Sequence, residues 1–454
     1  MRGSLTDDEV PPRMGRRRRK KLPLEPFPAH IDSLAHDGRG VARIDGKTTF
    51  IRGALPGEDV EFIYTSKRKN RDEGRCVSVH TPSPERVEPG CPHFGLCGGC
   101  SLQHQDPVKQ IEAKFQVLKD NLERIGKLEP ESYLAPLTGP HWGYRHKARL
   151  GARFVHKKEK LLVGFREAGT SKVADLESCA VLHPAIGERL IALREVLAGL
   201  RIHERIPQIE VAVGDDHGAL IVRNLEPLPE ADRLALVTFG RETALDIYLQ
   251  PGGPDTVEAL TETRPLSYRL PEWNVEVFFR PDDFTQVNSE LNRSMVARAL
   301  ELLDPQPGDR VLDLFCGLGN FTLPLARKAG WVTGVEGDAG LVERARENAR
   351  RNDIGNVDYH VANLMEDQEG APWLQQHYDR ILLDPPRSGA VEMIPHVAGL
   401  GVGRIVYVSC HPGSLARDAG LLVHDHGYRL LRAGVMDMFP HTAHVESIAL
   451  FERA

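Results

Sequence analysis

The stretch that most constrains this chain is Val311–Ala326, VLDLFCGLGNFTLPLA. Val311, Leu312 and Leu314 read as a buried strand, Gly317 and Gly319 as a tight turn, and Phe321, Leu323, Leu325 and Ala326 as the start of an amphipathic helix. Glycines there let a ligand approach the backbone, and the helix N-terminus beyond offers unpaired N–H groups. This is the local form of a nucleotide-cofactor turn; the alternative is an ordinary tight strand-to-helix turn. Dinucleotide sites begin the same way, but two details favour S-adenosylmethionine. Asp313, near the strand's end, can accept from a methionyl ammonium and would repel a pyrophosphate, and the third glycine of the dinucleotide fingerprint is missing. Glu336, closing the next apolar strand (WVTGVEGD), lies about 20 residues on, where an acid takes ribose hydroxyls.

Around this turn the chain alternates. Phe284-Thr285-Gln286-Val287-Asn288 precedes a helix carrying Leu291, Met295, Val296 and Leu300. Strands are then expected at 311–315, 331–336, 357–361, 380–384, 404–409, 428–433 and 443–451, with helices between most of them. That pattern predicts an α/β fold with a doubly wound, largely parallel sheet, which binds ligands at the carboxyl ends of its strands. Asp313, Glu336, Asn363, Asp384 and Cys410 all fall there. Pro385 and Pro386 fix the loop after Asp384. In amino-group methyltransferases a similar loop ends in an aromatic residue; Arg387 in that place weakens an N-methyl reading.

Cys410, in RIVYVSCHPGS, stands where a strand gives way to a turn opening a helix at Ser414, and a helix N-terminus is expected to lower its pKa. A core cysteine is the alternative, as Cys316 is read to be. A thiolate beside a methyl donor suggests one reaction. Pyrimidine C5 is too poor a nucleophile to attack a sulfonium unaided, but addition of sulfur to C6 makes an enolate whose C5 can accept the methyl group. A general base must then remove the C5 proton. Glu446 in DMFPHTAHVES is the candidate, with His441 and His444 as rivals.

The 454 residues are enough for two to four domains. No run of 18 apolar residues and no N-terminal apolar region occur, and seven cysteines are too few for a disulfide scaffold, so a reducing, cytoplasmic setting is expected. Net charge is −6, yet Arg16–Lys21 is a basic run within an expected disordered tail (1–22), and Lys67, Arg68, Lys69, Arg71 and Arg75 form a second cluster. Residues 23–83 read as five short strands with a hairpin turn at Asp45-Gly46, suiting a small oligonucleotide-binding barrel. Residues 84–270 read as a central α+β domain and 271–454 as the doubly wound domain. In the central part, 107–125 has helical spacing, and Tyr144, Arg145, Lys147 and Arg149 are either an RNA contact or an exposed cationic strand face.

Cys91, Cys97 and Cys100 (CPHFGLCGGC) have the spacing C-x5-C-x2-C on a glycine-containing loop. The wide first gap fits zinc less well than an iron–sulfur cluster, although His93 and His104 keep zinc open. Cys179 is the expected fourth ligand. Cys76, inside the strand-like RCVSV, is its competitor.

DLFCGLGNF, DPPRSG, SCHPGSLARD and HVES, in this order after FTQVN, resemble the RNA uracil-C5 methyltransferases that use S-adenosylmethionine. HDGRGVARIDGKTTFIRGALPGEDVE resembles the TRAM module, a barrel found on RNA-modifying enzymes. The resemblance implies Cys410 as nucleophile and Glu446 as proton acceptor. It implies cofactor contacts at Gln286, Phe315, Asn320, Glu336, Asn363 and Asp384, beside Asp313, Gly317 and Gly319 from the turn itself. It further implies a [4Fe-4S] cluster on Cys91, Cys97, Cys100 and Cys179, expected to stiffen the central domain. Barrel and cysteine loop together favour 23S ribosomal RNA over transfer RNA as substrate, held by a chain expected to act as a monomer. The target base is expected to be flipped into the cleft. One departure stands out: members usually carry Asn-Pro-Ala-Thr after the cysteine, and this chain has His411-Pro412-Gly413-Ser414. Rival readings are a cytosine-C5 methyltransferase, which would place its nucleophile after Pro or Thr rather than Ser409, and a noncatalytic RNA-binding scaffold.

Overall fold

A computed structural model describes residues 22–453; the basic run Arg16–Lys21 falls outside the described residues. The chain divides into two compact units, the first holding residues up to Ser83 apart from His36–Gly38, the second holding the rest.

The first unit is a six-stranded sheet of Phe27–His30, Ser33–Leu34, Gly40–Ile44, Lys47–Arg52, Asp59–Lys67 and Arg71–Thr81. The single strand expected around Ile31 is two short ones, because Ile31 leaves the ladder and its N–H bonds the Glu58 carbonyl at 2.9 Å. Asp45 and Gly46 both take positive φ (50° and 76°), the conformation a two-residue hairpin turn requires. Phe27, Phe62 and Tyr64 meet edge-on or tilted in the core. The cationic cluster lies on the hairpin joining the last two strands, and Lys67, Arg68, Lys69, Arg71 and Arg75 are all exposed.

In the second unit the expected helix is Pro107–Asn121, continued by a wider turn, Leu122–Gly126. It starts where it does because the Asp106 carboxylate accepts the Val108 N–H at 2.9 Å, with Pro107 as the first residue. A mixed sheet follows, in the order Glu258–Ala259, Leu245–Gln250, Gly218–Arg223, Gln208–Val213, Lys147–Val155, Lys160–Gly164. Leu245–Gln250 was not expected; it lies parallel to Gly218–Arg223 after the helix Glu230–Thr243. Leu266–Leu270 and Val275–Phe279 form a separate hairpin.

The C-terminal part is the doubly wound sheet. Its strands are β1 (Arg310–Leu314), β2 (Trp331–Glu336), β3 (Val357–Val361), β4 (Arg380–Leu383), β5 (Arg404–Ser409), β6 (Tyr428–Met436) and β7 (Glu446–Arg453). They lie in the order β3-β2-β1-β4-β5-β7-β6, with Ser132–Tyr133 added at the β6 edge. All neighbours are parallel except β7, which runs antiparallel to both β5 and β6. Strand order reverses at β1 and β4, where such sheets open a crevice at their carboxyl ends. Continuous apolar strands such as Ile405–Val408 are buried on both faces, as a sheet covered by helices on each side demands.

Candidate active site

Register decides which residues meet at the crevice. Leu314 pairs with Val335 on one side and Leu383 on the other, so Phe315, Glu336 and Asp384 come next along one rim. Glu336 pairs with Val361, which brings Asn363 close beyond β3. Ser409 pairs with Ser447, so Cys410 and Glu446 are the next opposed positions of β5 and β7. The Ser447 hydroxyl donates to the Ser409 carbonyl at 3.1 Å and locks that register. An antiparallel β7 is what delivers a residue from its own start to the carboxyl end of β5.

The turn after β1 is shaped for a ligand. Phe315 has φ 66°, unusual for a bulky side chain, while Gly317 and Gly319 have φ 52° and 92°. A Cβ at Gly317 would meet nothing within 4 Å, so the turn faces open space. Glu336 braces it: one carboxylate oxygen accepts the Gly317 N–H at 3.2 Å, the other the N–H groups of Gly337 and Asp338. Asn363 bonds within its own loop, to Glu366 and to the Met365 N–H.

Two expected contacts are differently employed. Asp313 is fully buried beneath the turn, taking the Thr322 hydroxyl at 2.6 Å, while its other oxygen has no partner among the described residues. Burial pushes it up to about 7. The Asn320 side chain forms a reciprocal amide pair with Asn292 (2.9 and 3.0 Å) and accepts from the Tyr268 hydroxyl. It pins the helix Ser289–Leu303 to the turn. Gln286 is half-buried in the loop before that helix, and Phe284, two residues earlier, is 71% exposed.

The thiol departs from expectation. Its helix begins at Pro412, two residues after Cys410, but burial and then the carboxyls of Glu446 and Asp384 push Cys410 up to about 11, with Arg387 opposing them. Burial and Asp384 in turn raise Glu446 well above the carboxylate range, and burial raises Asp384 to about 7. Of the rival bases, His441 is buried against Trp142 at 4.1 Å between ring centres, and His444 packs on Phe439 at 5.3 Å. His411 is the helix N-cap: its Nδ1 accepts the Ser414 N–H at 3.1 Å, the duty an Asn performs at that position. The signal for it was present in sequence, a polar residue directly before a proline at the first helical position.

Cys91, Cys97, Cys100 and Cys179 line one pocket whose other walls include Phe94, Phe165, Leu176 and Val181. Cys76 lies in the first unit, its thiol donating to the Ser78 carbonyl. Among the described residues no three His, Cys, Asp or Glu side chains converge on one metal-ion position. The four thiols, none in a disulfide, instead surround a space. Burial pushes Cys97 up to about 11 and Cys100 to about 12. Such thiols carry charge only against a cationic group, and the set fits a polynuclear iron–sulfur centre.

The tRNA (Uracil-5-)-methyltransferase family matches residues 267–454, and the TRAM domain matches residues 25–62. The chain is 56% identical over 443 residues (97% of this chain, 100% of the relative) to a 23S rRNA (uracil(1939)-C(5))-methyltransferase of Methylococcus capsulatus. It is also 56% identical over 442 residues (97% and 99%) to the protein of that name in Alkalilimnicola ehrlichii. Among solved structures, Pyrococcus abyssi tRNA (uracil-54, C5)-methyltransferase in complex with S-adenosyl-L-homocysteine shares the fold, with TM-score 0.73 and 24% identity over 94% of this chain and 100% of that one.

Proposed function

Since the chain belongs to the family of S-adenosylmethionine-dependent RNA uracil-C5 methyltransferases, we propose that it methylates C5 of a 23S ribosomal RNA uridine, the one equivalent to uracil 1939 of its relatives' name, through a transient Cys410–C6 bond. The observation that carries this reading is the Ser409–Ser447 register, which puts a thiol and a buried carboxyl side by side at the ligand-binding end of the sheet.

Cys410 sulfur bonds C6, and the C5=C6 electrons move toward the O4 enolate. C5 then takes the methyl group from the donor's sulfonium, leaving S-adenosylhomocysteine. Glu446, as carboxylate, removes the C5 proton; the C5–H electrons re-form C5=C6, and the C6–S bond breaks to return the thiolate. Charge on Cys410 costs less once a sulfonium cation offsets Asp384 and Glu446, so the thiol is best ionised with donor in place. The Gly317–Gly319 turn, Glu336, Asn363, Asp384 and Gln286 are the candidates for seating the donor, with Asp313 and Asn320 supporting the turn from beneath. The exposed cations of the TRAM hairpin supply phosphate contacts. Cys91, Cys97, Cys100 and Cys179 would hold a [4Fe-4S] cluster, whose part is to stiffen the fold around them. The absence of any helix long and apolar enough to cross a membrane, among the described residues, is compatible with cytoplasmic work on ribosomal RNA.

The test uses the purified enzyme with 5-fluorouridine RNA and with ordinary RNA. Wild type should form an SDS-stable adduct with the former, Cys410→Ala none with either, and Glu446→Gln should trap methylated adduct on the latter. A Cys410→Ala enzyme that still makes 5-methyluridine would refute the reading.

A further inference from the structure

Glu446 is the first residue of β7, and the segment before it, Asp437–Val445, has no regular structure. Its polar groups are nevertheless taken one after another. Lys114 Nζ donates to Asp437 Oδ1 at 2.6 Å and to the Phe439 carbonyl at 2.9 Å. The Tyr144 hydroxyl donates to the Pro440 carbonyl at 2.9 Å. Gln110 Oε1 accepts the His441 N–H at 2.9 Å. The His441 carbonyl accepts the N–H groups of both Ser101 and Leu102, each at 2.9 Å, and Ser101 Oγ accepts the Ala443 N–H at 3.1 Å. These partners all lie between Ser101 and Tyr144. His441 itself is held at φ 65°, a conformation that costs a non-glycine residue roughly 1 kcal/mol or more and persists only where its surroundings impose it.

Ser101 directly follows Cys100, and in the same turn Gln103 Oε1 accepts the Cys91 N–H at 3.1 Å. The cysteine loop and the approach to Glu446 are thus joined by a single peptide unit. Resting on the assignment of Glu446 as proton acceptor, we propose that the turn after Cys100, together with the helix Pro107–Asn121, is a brace that sets the Glu446 carboxylate against the C5 proton, with Ser101 and Gln110 as positioning residues. The brace acts on the elimination half of the reaction. Cys410 directly follows β5 and receives none of these bonds, so sulfur addition and methyl transfer proceed without it. Proton removal and C–S cleavage need it. The buried cysteine site then has a mechanical link to catalysis that requires no electron transfer.

The experiment compares Ser101→Ala, Ser101→Thr, Gln110→Leu and Glu446→Gln in the full chain. It measures adduct formation with 5-fluorouridine RNA and release of methylated product from ordinary RNA, with iron content and sulfur-to-iron absorbance as controls of the cysteine site. Ser101→Ala and Gln110→Leu should form adduct at the wild-type rate but release product roughly tenfold more slowly or worse, accumulating methylated adduct. Ser101→Thr, which keeps the hydroxyl, should release normally. If Gln110→Leu does not fold, Ser101→Ala against Ser101→Thr decides. Normal release by Ser101→Ala and by any folded Gln110→Leu, with Glu446→Gln still trapping adduct, overturns the brace alone. Normal release by Glu446→Gln overturns the assignment beneath it.

Discussion

Gly413 and His411 are one device, and a double-mutant cycle can show it. Gly413 is the second residue of the helix after Cys410, at a φ outside the left-handed region, so alanine is conformationally acceptable there. Space is what alanine lacks. Its Cβ would lie 3.0 Å from His411 Cε1 and 3.3 Å from Asn121 Oδ1. Asn121 is itself tied to the Val117 carbonyl at 2.7 Å, so the imidazole is the group that must give way. Moving it breaks the cap on the Ser414 N–H, worth about 1 kcal/mol, and crowding adds about 1–3 kcal/mol. Alanine's better helix propensity returns at most about 1 kcal/mol. Gly413→Ala should therefore destabilise by roughly 1–3 kcal/mol. His411→Asn keeps a capping side chain and removes the ring, so alone it should cost a few tenths of a kcal/mol at most. In the double variant the methyl group has room, and most of the loss should be regained, a coupling of about 1–3 kcal/mol. Thermal midpoints and the rate of adduct formation with 5-fluorouridine RNA are the readouts, because the cap stands one residue from the nucleophile. Effects that add within about 0.5 kcal/mol would refute a shared device.

Two further outcomes concern buried charge. Asp313 is pushed up to about 7 in the fold against about 3.9 when unfolded, so its contribution is fully present below about pH 4 and is lost as pH rises through 7. The stability advantage of Asp313→Asn over wild type, measured without ligand, should accordingly grow between about pH 4 and 7 and then level off; a difference independent of pH would refute it. Lys114 and Asp437 form an ion pair with each side chain only 2% exposed, and burial draws the lysine below its ordinary value despite the aspartate. Lys114→Met should cost about 3–5 kcal/mol in urea unfolding by stranding the carboxylate, whereas Lys114→Met with Asp437→Leu should recover most of it; additive losses would contradict a paired origin.

What was legible in sequence was whatever chemistry is local. The β1 turn, the run of strand ends at Glu336, Asp384 and Cys410, and the three-cysteine loop each announce themselves within a dozen residues. The four thiols meet in one cavity, and the TRAM barrel and doubly wound sheet are present. What was hidden depends on partners far away in the chain. Nothing near Asn320 in sequence revealed Asn292 and Tyr268, which bond its amide. That Asp313 is fully buried was hidden too, because a five-residue strand does not say which alternate side chains end up beneath a turn. The Cys410 pKa was misjudged in direction: the helix start is encoded next to it, while burial and then Glu446, which arrives across the sheet from 36 positions later, raise it. Strand Leu245–Gln250 escaped notice because its alternation is broken by the buried Asp246, whose carboxylate accepts the Arg264 N–H at 2.9 Å.

The same long-range assembly explains why a site built to use a thiolate surrounds it with acids. In the proposed mechanism Glu446 takes the last proton, and Asp384 directly follows the strand between cofactor turn and nucleophile; both stand close enough to Cys410 to raise it. Burial and then these two carboxyls push the Cys410 thiol up, and burial raises both carboxyls in turn. A cationic methyl donor opposes these costs, because a positive charge near Cys410, Asp384 and Glu446 favours the ionised form of all three. Nucleophile strength is thereby tied to occupancy by the donor. On the proposed mechanism, a donor bound first would therefore favour the ionised sulfur that addition to C6 requires.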